Sequence, residues 1–215
     1  MRILVALLGW MISWNLYAQA APYTEGKEYM EIVPAVRGAD ESKIEVTEVF
    51  AYSCPHCFHF EPIVEAWAKK QKPDVKFIQS HAMWSPQMEP HLRGFYTSIA
   101  LKIKNKTHMA VFNAIHLEHK NLVNAEQWAD FFATYGISKE KAISTYNSFG
   151  VSSQIKQAEA RARSYKITST PEMVVDGKYR IGAREAGGQE EMLKVVDYLV
   201  TKIRAERARA AVTKQ

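Results

Sequence analysis

The chain has 215 residues, 47% of them hydrophobic, and its 28 Lys and Arg against 23 Asp and Glu leave a formal net charge of +5. Its length is enough to bury a sizeable core without covalent staples. The basic residues are dispersed, apart from a tail between Lys202 and Lys214, and no basic stripe carries aromatic platforms, so the pattern of a nucleic-acid binder is excluded.

The N-terminus reads as a secretory signal peptide. Met1-Arg2 is followed by a largely apolar run from Ile3 to Tyr17 and by Ala18-Gln19-Ala20, a small-residue cleavage site. Gly9, Ser13 and Asn15 interrupt the run, which is shorter than the roughly 20 residues of a spanning helix, so an uncleaved anchor is disfavoured. No later segment is apolar enough to span a membrane. Residues 1–20 are therefore set apart from the fold, and the expected location is the periplasm, where disulfides persist. The remainder fits one domain carrying a large insertion.

Tyr29 to Val33 is a short strand ended by Pro34, and Lys43 to Tyr52 alternates before turning continuously apolar, as a strand entering a buried sheet does. Pro55 suits the first turn of a helix, in which Cys57, Phe60, Val64 and Trp67 form the apolar stripe; Pro62 should kink it. Asp74 to Ser80 is the next strand. Pro86 and Pro90 end a loop, after which Leu92–Lys104, Thr107–His119, Asn124–Tyr135 and Ser138–Phe149 read as four helices, and Val151–Tyr165 as a fifth. Asn124 and Ser138 are cap residues and Gly136 a helix stop. Pro171–Val175 and Lys178–Ile181 form a hairpin about Asp176-Gly177, and Glu190–Lys202 closes as a helix whose basic continuation, with Arg204, Arg207 and Arg209, reads as a frayed solvated end; contact with an acidic membrane is the alternative. The order is βαβ over residues 21–80, a helical block over 81–150, and αββα with the basic tail over 151–215.

The only two cysteines are spent on one motif, Cys54-Pro55-His56-Cys57, where a buried strand meets a helix. A dithiol there suits thiol–disulfide exchange. The helix N-terminus, the amides of His56 and Cys57, and the His56 ring each favour the Cys54 thiolate. A stabilised thiolate favours the reduced protein and leaves readily, so the closed pair should act as an oxidant. Cys54 should form the mixed disulfide, and Cys57, one turn inward, should resolve it. Haem attachment needs His after the second cysteine, where Phe58 stands, and a zinc site lacks a second ligand pair. A Cu(I) site using the same thiols is chemically open. His59, His116 and His119 read as surface residues, and His81, His91 and His108 follow no common metal spacing.

This motif, the split βαβ and ββα halves around a helical block, and Asn147-Ser148-Phe149 before a long helix resemble the DsbA-type exported thiol:disulfide oxidoreductases of the thioredoxin superfamily, over residues 23–205. The resemblance implies an α/β thioredoxin-like fold, a mixed central sheet flanked by helices, with a large inserted helical domain. It implies no cofactor beyond the Cys54–Cys57 disulfide, newly exported or unfolded proteins as substrates, and a membrane reoxidase of the DsbB type. It implies a cis bond at Thr170-Pro171 opposite the dithiol, with Thr170 free to pair with a client backbone. It also implies a buried acid at Glu48 acting as proton acceptor for Cys57, although Glu45, of opposite parity, competes for the inner face. Where the family has a lysine beside that acid, Gln79 stands here, a neutral partner. Thr170 is commoner in the isomerases, so an isomerase or reductase is the first alternative and a copper carrier the second. The isomerases' N-terminal dimerisation domain has no room here, which points to a monomer.

Overall fold

The computed structural model describes residues 21–213 except Ala39; the expected signal peptide lies outside the described residues. A five-stranded sheet has the order β1-β5-β4-β2-β3, with β1 at Met30–Glu31, β2 at Ile44–Phe50, β3 at Val75–His81, β4 at Glu172–Val175 and β5 at Tyr179–Gly182. β2 runs parallel to β3 and antiparallel to β4, and β4–β5 and β1–β5 are antiparallel. Every residue of β2 is buried. A central strand covered on both faces explains its near-continuous apolar run, and it also buries both Glu45 and Glu48, on opposite faces.

Helix α1 (Pro55–Ala68) follows β2, and α8 (Gln189–Thr213) ends the described chain. Both pack on one face of the sheet, where Phe60, Val64, Val196 and Leu199 meet Val46, Met173 and Ile181. Tyr165, which caps α6 (Phe149–Ser164), lies with Val49 and Val174 against the other face. Between β3 and β4 come α2 (Glu89–Ala100), α3 (Lys104–His116), α4 (Ala125–Ala133), α5 (Lys139–Tyr146) and α6. Their apolar faces close around Phe50, Tyr52 and Cys57, so the helical insert and the end of β2 share one core. A short α7 (Ala183–Ala186) precedes α8.

Several boundaries differ from those read in the sequence. α2 starts at Glu89 because Pro90 is accommodated in its first turn rather than ending a loop. It stops at Ala100 because Lys102 adopts a left-handed conformation (φ 58°) and Ile103 N–H closes back onto Ser98 O; α3 accordingly begins and ends three residues earlier than expected. A lysine in this conformation carries no sequence signal. Phe149 opens α6 instead of closing α5, since the Ser148 side chain accepts from Val151 N–H. Asn124 and Ser138 cap α4 and α5 through Gln127 and Lys141 N–H, and Asp176-Gly177, both at positive φ, makes the hairpin turn.

The basic tail is not a frayed end. α8 is helical to Thr213, held by a two-point pairing of Arg204 with Asp74 and by Arg207 bonding Asp176 and the carbonyls of Glu41 and Lys43.

Gly94 on α2 packs directly against α4: a Cβ there would lie 2.2 Å from the Trp128 ring. Gly94→Ala is expected to destabilise the protein by about 2 kcal/mol through overpacking. The check is a lower denaturant midpoint at unchanged slope; wild-type stability would mean that α2 and α4 separate without cost.

Candidate active site

β2 delivers the chain to the dithiol and α1 starts on it. Cys54 is the N-cap of α1, in extended conformation, and Pro55 fills the first turn. Both cysteines are free thiols; Cys54 is half-buried and Cys57 fully buried in the core shared with the insert.

This placement separates their acidities. The Cys54 thiol is lowered to about 5, first by the hydrogen bond from the Cys57 thiol, then, against partial burial, by Thr170 and the backbone amides of Cys57 and His56. His56 thus acts through its N–H; its side chain is exposed. Burial pushes the Cys57 thiol far up, and the neighbouring Cys54 sulfur adds to the rise. The pair therefore holds one thiolate, at Cys54, over one thiol.

Opposite the dithiol, the Thr170–Pro171 bond is cis, and Cys54 Sγ lies 3.3 Å from Thr170 O. Gln189, at the start of α8, donates from Nε2 to the His56 carbonyl at 2.7 Å. A cleft of about 590 Å³ runs along His56, Thr170, Pro171, Gly188 and Gln189, open to an extended chain.

Beneath the dithiol lies a buried polar network. Glu48 and Gln79 are register partners across parallel strands and so share a face. Gln79 Nε2 donates to Glu48 Oε2 at 2.7 Å and to Glu61 Oε2 at 2.8 Å, and its Oε1 accepts from Lys104 Nζ. His108 Nε2 lies 3.1 Å from Glu61 Oε2, and its Nδ1 2.7 Å from Tyr52 Oη. Burial lowers the His108 pKa, which fits a neutral ring that donates to Glu61 and accepts from Tyr52. Burial, reinforced by the Glu61 charge, pushes Glu48 up to about 8; the Gln79 bond and Lys104 oppose this. Glu48 Oε1 has no hydrogen-bond partner among the described residues.

Some of these residues went unread in the sequence. Glu61 follows Cys57 by four residues, so its place on the buried stripe was available from helix periodicity. Lys104 and His108 had no such signal, since only the docking of α3 on α1 brings them in. His116 is not a surface residue: it is half-buried, bonds the Tyr52 carbonyl at 2.8 Å and stacks on Phe58. His119 is exposed. His81 is buried and neutral, held to about 3 by burial, with Nε2 accepting from Tyr52 N–H and Nδ1 donating to Ala82 O. Among the described residues no group of three or more His, Cys, Asp or Glu side chains could hold a metal ion.

A thioredoxin family model matches residues 31–198. The thiol:disulfide interchange protein DsbA of Pseudomonas aeruginosa is 44% identical over 203 residues, 94% of this chain and 96% of its own length. The protein of the same description from Burkholderia cepacia is 37% identical over 86% of this chain and 89% of its own. Among solved structures, Pseudomonas aeruginosa DsbA aligns with a TM-score of 0.84 at 44% identity, over 88% of this chain and 98% of that one. The oxidoreductase DsbA from Xylella fastidiosa aligns at 0.80 and 33% identity, over 86% and 99%.

Proposed function

Because the chain belongs to the DsbA family of thioredoxin-fold thiol:disulfide oxidoreductases, we propose that it donates its Cys54–Cys57 disulfide to newly exported proteins in the periplasm, working as a monomer that a membrane reoxidase of the DsbB type recharges. A client thiolate attacks Cys54 Sγ and the Sγ–Sγ bond breaks. Cys57 leaves with the electron pair and takes a proton, for which Glu48 is the nearby buried acid. A second client thiolate then attacks the client sulfur of the mixed disulfide, and Cys54 departs as a thiolate. The client loses two electrons and the dithiol gains them; the reoxidase removes them again.

The observation that carries this reading is the asymmetry of the two thiols. A sulfur lowered to about 5 is a good leaving group, so the mixed disulfide is short-lived in the forward direction. The cleft along Thr170 and Pro171, with Thr170 O 3.3 Å from Cys54 Sγ, supports an extended client backbone seated against Cys54. No described helix is long and apolar enough to cross a membrane; the proposed location rests on the N-terminal leader pattern.

The test is the equilibrium of the Cys54–Cys57 couple in the purified protein against a glutathione redox buffer. A disulfide readily reduced by that buffer is the expected result. One that resists reduction would assign a reducing role and overturn the oxidase reading.

A further inference from the structure

We propose that Lys104 of the helical insert is the counter-cation of the buried Glu48–Glu61 pair, acting as a positioning residue through the Gln79 amide. The thioredoxin-like part of the fold contributes the two carboxylates and the amide, on β2, α1 and β3. The positive charge comes from α3, in the insert.

The geometry defines the link. The Gln79 amide has its oxygen on Lys104 Nζ and its nitrogen on one oxygen of each carboxylate, so its dipole is aligned from cation to anions. Glu48 shares that NH₂ group with Glu61, and burial together with the neighbouring Glu61 charge disfavours the ionised form of Glu48. A cation behind the shared amide favours the ionised form of Glu48. The groups facing the pair are Glu65 and Lys69 from α1 and His108 from α3, around a cleft of about 390 Å³ that Gln79 and Lys104 also line. Glu65 and Lys69 pair with each other at 2.9 Å. His108 is taken up by Glu61 and Tyr52, and Cys54 adds negative charge from above. Lys104 is thus the cation of this cleft that is directed at the pair.

Its position is otherwise unfavourable. Lys104 is the first residue of α3, whose opening turn contains no acid, so the ammonium sits at the positive end of a helix. Burial also lowers its pKa. The attraction of the two carboxylates, which raises that pKa again, is what offsets both costs.

The inference rests on Glu48 being the acid that serves Cys57, and the experiment separates the two. Carboxyl ¹³C NMR of glutamate-labelled protein, assigned with Glu48→Gln and Glu61→Gln, is followed against pH for the wild type, Lys104→Met and Lys104→Arg. In parallel, the rate at which Cys57 resolves a mixed disulfide at Cys54 is measured against pH. Lys104→Met is expected to move the Glu48 titration upward by about one unit, slow resolution about tenfold at neutral pH, and regain the wild-type rate at higher pH; Lys104→Arg should keep the wild-type profile. An unmoved titration in Lys104→Met overturns the proposal. So does an equal shift in both variants, which would show that packing rather than charge matters. If Glu48→Gln resolves mixed disulfides at the wild-type rate, the role of Glu48 fails instead, and Lys104 is judged on the titration alone.

Discussion

Cys54→Ser is expected to leave no thiol exchange above background, while Cys57→Ser, offered a disulfide-bearing peptide, accumulates a mixed disulfide that does not clear. The difference follows from burial and charge. Cys54 is half-buried, accepts hydrogen bonds from the Cys57 thiol and from backbone amides at the helix start, and holds a thiolate at neutral pH. Cys57 has no exposed surface and its thiol is pushed far up. It cannot substitute as the attacking sulfur, yet it is the sulfur placed to displace the client. Non-reducing electrophoresis of each variant with the peptide reads both outcomes. A peptide adduct on Cys57 in the Cys54→Ser protein would overturn the assignment of roles.

The reduced protein is expected to be more stable than the oxidised one, by a margin that grows as pH rises from about 5 to about 9. The Cys54 pKa falls on folding from about 9 to about 5, so the folded dithiol form binds fewer protons than its unfolded chain in that window. Its contribution is therefore complete above the unfolded value and is lost as pH falls to the folded one. Each unit corresponds to about 1.4 kcal/mol. With a discount for the partly exposed sulfur, the margin is roughly 2 kcal/mol at pH 7. The oxidised form has no thiolate and lacks this contribution. Cys57 works the other way above its unfolded pKa, where the unfolded chain ionises and the buried thiol does not, so the margin is greatest near pH 9 and falls again above it. Glu48, raised in the folded state, weakens both forms as pH rises through neutrality and cancels to first order in the difference. Paired denaturant melts of the oxidised and reduced protein at several pH values measure the margin; one independent of pH would mean that Cys54 is not an anion. A stabilised reduced form is the same free energy that makes the disulfide oxidising.

The parts of the fold that were legible in the sequence are those set by near neighbours. A seven-residue buried strand running into Pro55 places the dithiol at a helix start, and Asn124, Ser138 and Asp176-Gly177 act through backbone groups a few residues away. The parts that were missed depend on packing partners distant in sequence. The end of α2 is set by Lys102 in a left-handed conformation, which a lysine does not announce in the sequence. The basic tail looked solvated because Asp74, 130 residues before Arg204, could not be seen to meet it.

The candidate site divides along the same line. That Cys54 caps a helix, beside amides that favour its ionised form, was legible in the sequence, because an N-cap position is a property of a short stretch of chain; the acid beneath the pair was implied by the family resemblance, since strand parity alone left Glu45 in competition with Glu48. The strength of that acid was decided only by the tertiary structure. Glu48 comes within hydrogen-bonding reach of Gln79 across 31 residues, and Glu61 meets His108 across 47. Lys104 supplies, from a different helix, the charge that Gln79 lacks. The ionisation of a buried group depends on how much water packing removes and on which charges it brings close, and neither quantity exists until the chain has folded.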